Sequence, residues 1–196
     1  MLYALTNLYG EHSDEALIPL IAQGEAAAFD ELYRRYHERL LHYFYRMLNR
    51  QRDRAQDLLQ ELFLKVIENS DRIRPQQRFS TWVFAVAHNM CCNEYRYQQV
   101  RRCDAEADVD QLPAALEDLD RLLDQQRFKR ALLRELETLD EDRRSIFLLR
   151  YQENFSLAEI SAIMQCSLGT VKSRLFYTAR HLARQLSAFA PCSAEE

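Results

Sequence analysis

The sequence predicts an all-α protein built as two small helical domains, and three observations carry that expectation. Only three glycines and four prolines punctuate 196 residues, too few for a sheet-rich fold with many tight turns. From Ser13 onward the apolar residues recur at three- and four-residue spacing instead of alternating. The breaks between these periodic stretches coincide with residues that cap helices. An apolar fraction of 47% is enough to fill real cores.

Ser13 is placed to cap a short first helix ending near Gly24, which Pro19, lacking a backbone donor, should kink or shorten. A second helix runs from about Glu25 to Asn49, with a broad apolar face of Phe29, Leu32, Tyr33, Tyr36, Leu40, Tyr43, Phe44 and Met47. Asp53 with Gln56 reads as a capping box opening a third helix through about Asn69, whose buried stripe is Leu58, Leu59, Leu62, Phe63, Val66 and Ile67. After a turn near Pro75, Ser80 or Thr81 is the candidate cap of a fourth helix carrying Trp82, Val83, Val86, Ala87, Met90 and Tyr95 to about Val100. Residues 13–102 make the first domain.

Residues 103–118 change character. They hold Asp104, Glu106, Asp108, Asp110, Glu117 and Asp118, are interrupted by Pro113, and contain no lysine or arginine. Such a stretch cannot build a core and is expected to be an acidic flexible linker. Helical periodicity resumes near Leu119 and runs through Phe128, Leu132, Leu133 and Leu136 to a boundary at Asp140, followed by a helix from about Glu141 to Gln152. Ser156 with Glu159 is a second capping box, starting a short helix that buries Leu157, Ile160, Ile163 and Met164. Ser167 then caps a longer helix after a four-residue break, with Val171, Leu175, Ala179, Leu182 and Leu186 on its apolar side. Short helix, tight break and longer helix make a helix-turn-helix. The second domain therefore spans 119–187, and 188–196 form a tail of no evident purpose.

Charge limits what this chain does. A net charge of −4 is awkward for a protein that binds DNA unaided, because phosphate neutralisation supplies most non-specific affinity. Locally the balance reverses: between 127 and 186 eleven basic residues face seven acidic ones. The last long helix offers Thr170, Lys172, Ser173, Arg174, Tyr177 and Arg180 to phosphates and base edges. The five cysteines, at 91, 92, 103, 166 and 192, lack metal-ligand spacing and read as reduced thiols, so no metal and no cofactor are expected. With no long apolar run and no basic leader at the start, the expected compartment is the cytoplasm. His88, Cys91, Cys92 and Glu94 are the only groups that suggest catalysis, and no phosphate loop or positioned base and nucleophile accompanies them.

The stretch Leu149–Leu182, LRYQENFSLAEISAIMQCSLGTVKSRLFYTARHL, resembles region 4 of the extracytoplasmic-function sigma factors of the sigma-70 family. Asp57–Ile67, DLLQELFLKVI, resembles the helix with which that family docks on the clamp of RNA polymerase. Phe79–Arg102, FSTWVFAVAHNMCCNEYRYQQVRR, resembles its helix that melts and reads the minus-ten element. The resemblance implies a non-enzymatic subunit that gives RNA polymerase its promoter specificity. Its partners would be core polymerase (beta and beta-prime subunits) and promoter DNA, with an anti-sigma factor or other recruiter as a further partner. It assigns polymerase binding to Asp57, Gln60 and Glu61, minus-ten binding to Asn89, Asn93, Arg96, Arg101 and Arg102, and minus-thirty-five binding to Thr170, Lys172, Ser173, Arg174, Tyr177 and Arg180. The competing expectation, a free-standing helix-turn-helix regulator, requires tight autonomous operator binding, which the acidic net charge disfavours.

Overall fold

The computed structural model describes residues 9–73, 78–101 and 119–189, and among them every regular element is helical. Four helices form the first body: α1 (Asp14–Ala22), α2 (Ala26–Met47), α3 (Arg52–Glu68) and α4 (Phe79–Arg101). Four more, α5 (Leu119–Thr138), α6 (Glu141–Tyr151), α7 (Leu157–Ile163) and α8 (Leu168–Gln185), form the second, closed by a short 3₁₀ turn at Ser187–Phe189. The linker expected at 103–118, the tip near Pro75 and the end of the tail lie outside the described residues.

In α1, Ser13 caps as expected by accepting from the Ala16 amide, and the helix accommodates Pro19 in its interior. Arg35 of α2 fastens α1 by donating to Asp14 and to the carbonyl of His12, and to the buried Glu31 of its own helix. The apolar face of α2 is sealed by α3 and α4: Leu32, Leu40, Tyr43, Phe44 and Met47 are fully buried, although Tyr33 stays partly exposed.

Two caps differ from expectation. Asn49 and Arg50 both adopt positive φ, which turns the chain tightly enough for α3 to begin at Arg52. Gln51 is then the N-cap, with no side-chain cap bond, and Asp53 falls inside the first turn. There its charge still complements the helix dipole. Helix α4 begins at Phe79, ahead of Ser80 and Thr81, and its first amide donates to the Glu15 carboxylate of α1 at 3.1 Å. A neighbouring helix supplies the capping oxygen that local sequence was expected to provide.

In the second body Asp140 caps α6 through the Arg143 amide. The Ser156–Glu159 box is complete in both directions. Helices α6, α7 and α8 pack on one another around Ile146, Leu149, Ile160, Ile163, Val171 and Leu182.

The two bodies also share an interface. Helix α4 packs along α7, and α2 meets α5 and α6. At its centre Phe84 sets its ring edge-to-face on Phe155 with centroids 5.2 Å apart, and the Tyr43 and Ser145 hydroxyls lie 2.7 Å apart in full burial. Arg144, only 3% exposed, crosses from α6 to the turn after α2.

The capping box yields a stability prediction. Ser156→Ala should cost about 0.5–2 kcal/mol and lower Tm by a few degrees, read by thermal circular dichroism. Hydrogen bonds from the Ser156 side chain and backbone hold Glu159 below its ordinary carboxylate pKa, opposed in part by burial. Its contribution is therefore present above the ordinary carboxylate range and lost as pH falls through the depressed folded value. The Tm difference between Ser156→Ala and wild type should accordingly shrink in acid.

Candidate polymerase and nucleic-acid interfaces

Helix α3 presents a face opposite its buried stripe of Leu58, Leu59, Leu62, Phe63 and Val66. Asp57, Gln60 and Glu61 stand exposed on it. Arg54 lies among the carboxylates, 3.6 Å from Asp57, 3.8 Å from Glu61 and 2.7 Å from Glu94 of α4. Its bond to Glu94 is the main reason its guanidinium is held even more firmly charged. One cation anchored to α4 thus leaves two carboxylates with lone pairs for an incoming arginine or lysine. Ile67, expected in the core, is 45% exposed and sits with exposed Leu64 on the same helix. Sequence periodicity placed Ile67 in the core because it follows Phe63 at helical spacing.

Helix α4 separates its faces sharply. Val83, Phe84, Ala87, Met90 and Cys91 are buried, whereas Asn89, Asn93 and Arg96 are exposed, with Arg96 donating to Asn93 at 3.2 Å. Arg101 ends the helix but its side chain, like all of Arg102, lies outside the described residues. Phe84 is fully buried between Tyr43 and Phe155. Trp82 is half-buried against Phe79. Among the groups that suggested catalysis, burial holds His88 below the usual imidazole range, the Asp142 carboxylate 4.0 Å away working in the opposite direction. Burial also pushes the Cys92 thiol up to about 11 and Cys91 well above its usual value. At neutral pH these are an uncharged ring and protonated thiols, and Glu94 is engaged by Arg54. No group of three or more metal-ligating side chains occurs among the described residues.

The helix-turn-helix is held at its break by backbone geometry. Gln165 takes a positive φ, the Cys166 amide returns to the Ser161 carbonyl, and the Ser161 hydroxyl donates to the Cys166 carbonyl. Ser167 then caps α8 by accepting from the Thr170 amide, and the Thr170 hydroxyl is drawn to Ser167 at 2.8 Å. Lys172, Ser173, Tyr177 and Arg180 are exposed along α8. Arg174 is not a free surface group: Asp142 of α6 binds it at 2.7 Å and leaves it half-buried. Phe176, 61% exposed beside Tyr177, is a large apolar residue on this face that sequence reasoning passed over. Its signal was present, since Phe176 lies outside the Val171, Leu175, Leu182 stripe.

Known proteins share both halves. The family described as sigma-70 region 2 matches residues 32–101, and sigma-70 region 4 matches residues 129–182. The chain is 31% identical to the ECF RNA polymerase sigma-E factor of Escherichia coli (strain K12) over 174 residues, covering 84% of this chain and 89% of that protein. It is equally identical, at 31%, to the RNA polymerase sigma-H factor of Pseudomonas aeruginosa over 176 residues, covering 85% and 90% of the two chains. In fold it resembles the sigma factor RpoE solved in complex with the anti-sigma factor NepR from Bartonella quintana, with a TM-score of 0.68, 22% identity and coverage of 81% and 96%. It also resembles CnrH solved with the cytosolic domain of CnrY, with a TM-score of 0.65, 22% identity and coverage of 89% and 97%. With two exposed polar helices carried on separate bodies and matches along both of them, the chain belongs to the extracytoplasmic-function sigma factors of the sigma-70 family, which direct bacterial RNA polymerase to promoters and initiate transcription.

Proposed function

We propose that residues 13–102 dock on core polymerase through α3 and read the melted minus-ten element through α4, while residues 119–187 read the minus-thirty-five element through α8. One observation carries this reading. A single chain exposes an amide-and-arginine face on α4 and a basic, hydroxyl-bearing face on α8, and keeps an acidic face on α3 for a protein partner. Amides discriminate base edges once a base leaves the stack, and arginines hold strand backbone. The negative net charge is consistent with binding promoter DNA as part of a larger complex rather than alone. The subunit contributes recognition and melting but no bond-making chemistry, and it acts in the cytoplasm, where its polymerase is. The structural relatives' complexes with NepR and CnrY motivate an anti-sigma factor as a further partner.

Replacing Gln60 and Glu61 together by alanine should weaken binding to core polymerase while leaving circular dichroism unchanged, because neither side chain is buried. Undiminished core affinity in a folded double variant would remove this face from the mechanism.

Asn89→Ala should relax base preference at one position of the downstream element, with core binding intact. Transcription of a randomised promoter library reads this directly, and an unaltered base profile would show that the amide is an ordinary surface group.

On α8 the salt dependence separates two roles. Losing a phosphate contact from Lys172 or Arg180 should lower the slope of log affinity against log salt by about 0.9 for every sequence. Losing a base contact should cost about 1–3 kcal/mol on the matched sequence only. Titrating holoenzyme on matched and scrambled upstream elements assigns each residue.

A further inference from the structure

Arg54 stands in an unfavourable place for a cation. It is the third residue of α3, at the end where the helix dipole is positive and an arginine costs stability. It is held there from outside the helix: Nη2 donates to Glu94 of α4 at 2.7 Å, and that carboxylate is buried, with 9% of its side chain exposed. Glu94 is fixed in turn by the Gln98 amide at 3.0 Å, and Gln98 reaches Gln51, the N-cap residue of α3, at 3.4 Å. Moving the guanidinium away would strip a buried carboxylate of its cation, which is strongly unfavourable. Arg54 is therefore a fixed charge and not a mobile surface side chain.

Its other terminal nitrogen faces the docking carboxylates. Nη1 lies 3.6 Å from Asp57 and 3.8 Å from Glu61, both beyond hydrogen-bond distance. The side chains of Asp57 and Glu61 stay 61% and 51% exposed, so the arginine offsets their charge without taking up their lone pairs. Helical spacing puts Arg54, Asp57 and Glu61 along one edge of α3. A cation brought to Asp57 and Glu61 by a partner meets a like charge already standing beside them.

We infer that Arg54 is a built-in attenuator of polymerase docking, a cation fixed by Glu94 that offsets the charge of Asp57 and Glu61 and weakens their hold on the partner's arginine or lysine. The inference rests on the docking face proposed above. A partly exposed charge at the rim of an interface acts mainly on encounter rate and salt dependence. Docking of the wild-type chain is accordingly weaker and less salt-sensitive than its carboxylates alone would make it.

The charge has to be removed without leaving Glu94 buried and unpaired, so the test variant combines Arg54→Gln with Glu94→Gln, two amides in place of the ion pair. Titrating the labelled full chain with core polymerase at several salt concentrations gives the affinity, and circular dichroism reports folding. The double variant should bind core about three- to tenfold more tightly at low salt. The gain should shrink as added salt brings the Debye length below about 8 Å. A fold defect would move affinity the other way, so the sign separates attenuation from a structural role. Reinstating a cation as Arg54→Lys, with Glu94 native, should restore the attenuated affinity and the shallower salt slope. In a chain that also carries Asp57→Asn and Glu61→Gln, the double variant should give no gain. A folded double variant with unchanged or weaker core affinity overturns the attenuator, as does an equal gain in the chain lacking both carboxylates. Unaltered core affinity in the chain carrying only Asp57→Asn and Glu61→Gln overturns the docking reading itself.

Discussion

The guanidinium of Arg144 organises the meeting of the two bodies. It donates to the carbonyls of Leu136, Glu137 and Leu139 at the end of α5, and across the interface to the carbonyl of Met47 and the side chain of Asn49 at the end of α2. The last carbonyls of any helix lack intrahelical partners and carry its negative dipole end. One buried cation thus satisfies the C-termini of two helices from two different bodies. The Tyr95 hydroxyl completes the shell, 2.8 Å from Arg144 and itself donating to Met47. Each carbonyl left without a donor in this buried place would cost about 1–3 kcal/mol. That makes the site intolerant of a shorter side chain and explains why the turn at Asn49 and Arg50 keeps two consecutive positive φ angles. It holds the acceptor oxygens where the guanidinium ends.

Charge is distributed unevenly over the surface, and its sum conceals that. The chain is acidic overall, yet the exposed side of α8 carries lysine and arginine, while the outer face of α3 carries carboxylates around a single arginine. At physiological ionic strength the Debye length is about 8 Å, so each face presents its own sign to what approaches it.

The interface between the bodies differs in kind from the cores on either side of it. Within the first body, α2, α3 and α4 exclude water from long runs of leucine, phenylalanine and tyrosine. Between the bodies, a few rings are surrounded by hydroxyls and ion pairs, several of them partly exposed. Surface pairs of this sort contribute little each and are readily exchanged for hydration.

Most of the helices, the two-body division and the helix-turn-helix were legible in the sequence, because they follow from local periodicity and capping. Ser13, Asp140, Ser156 and Ser167 cap the helices at which they stand. Each of these bonds spans three residues, and the sequence determines it alone. Several of the departures involve distant partners. Glu15 caps α4 in place of Ser80 or Thr81. Ile67 turns outward because no helix covers it, and Arg174 is restrained because Asp142 lies opposite. Arg144 could be read from the sequence only as one more positive charge near the helix-turn-helix. That it lies buried, joining the ends of α2 and α5, depends on acceptors nearly a hundred residues away, and only the tertiary structure brings those together.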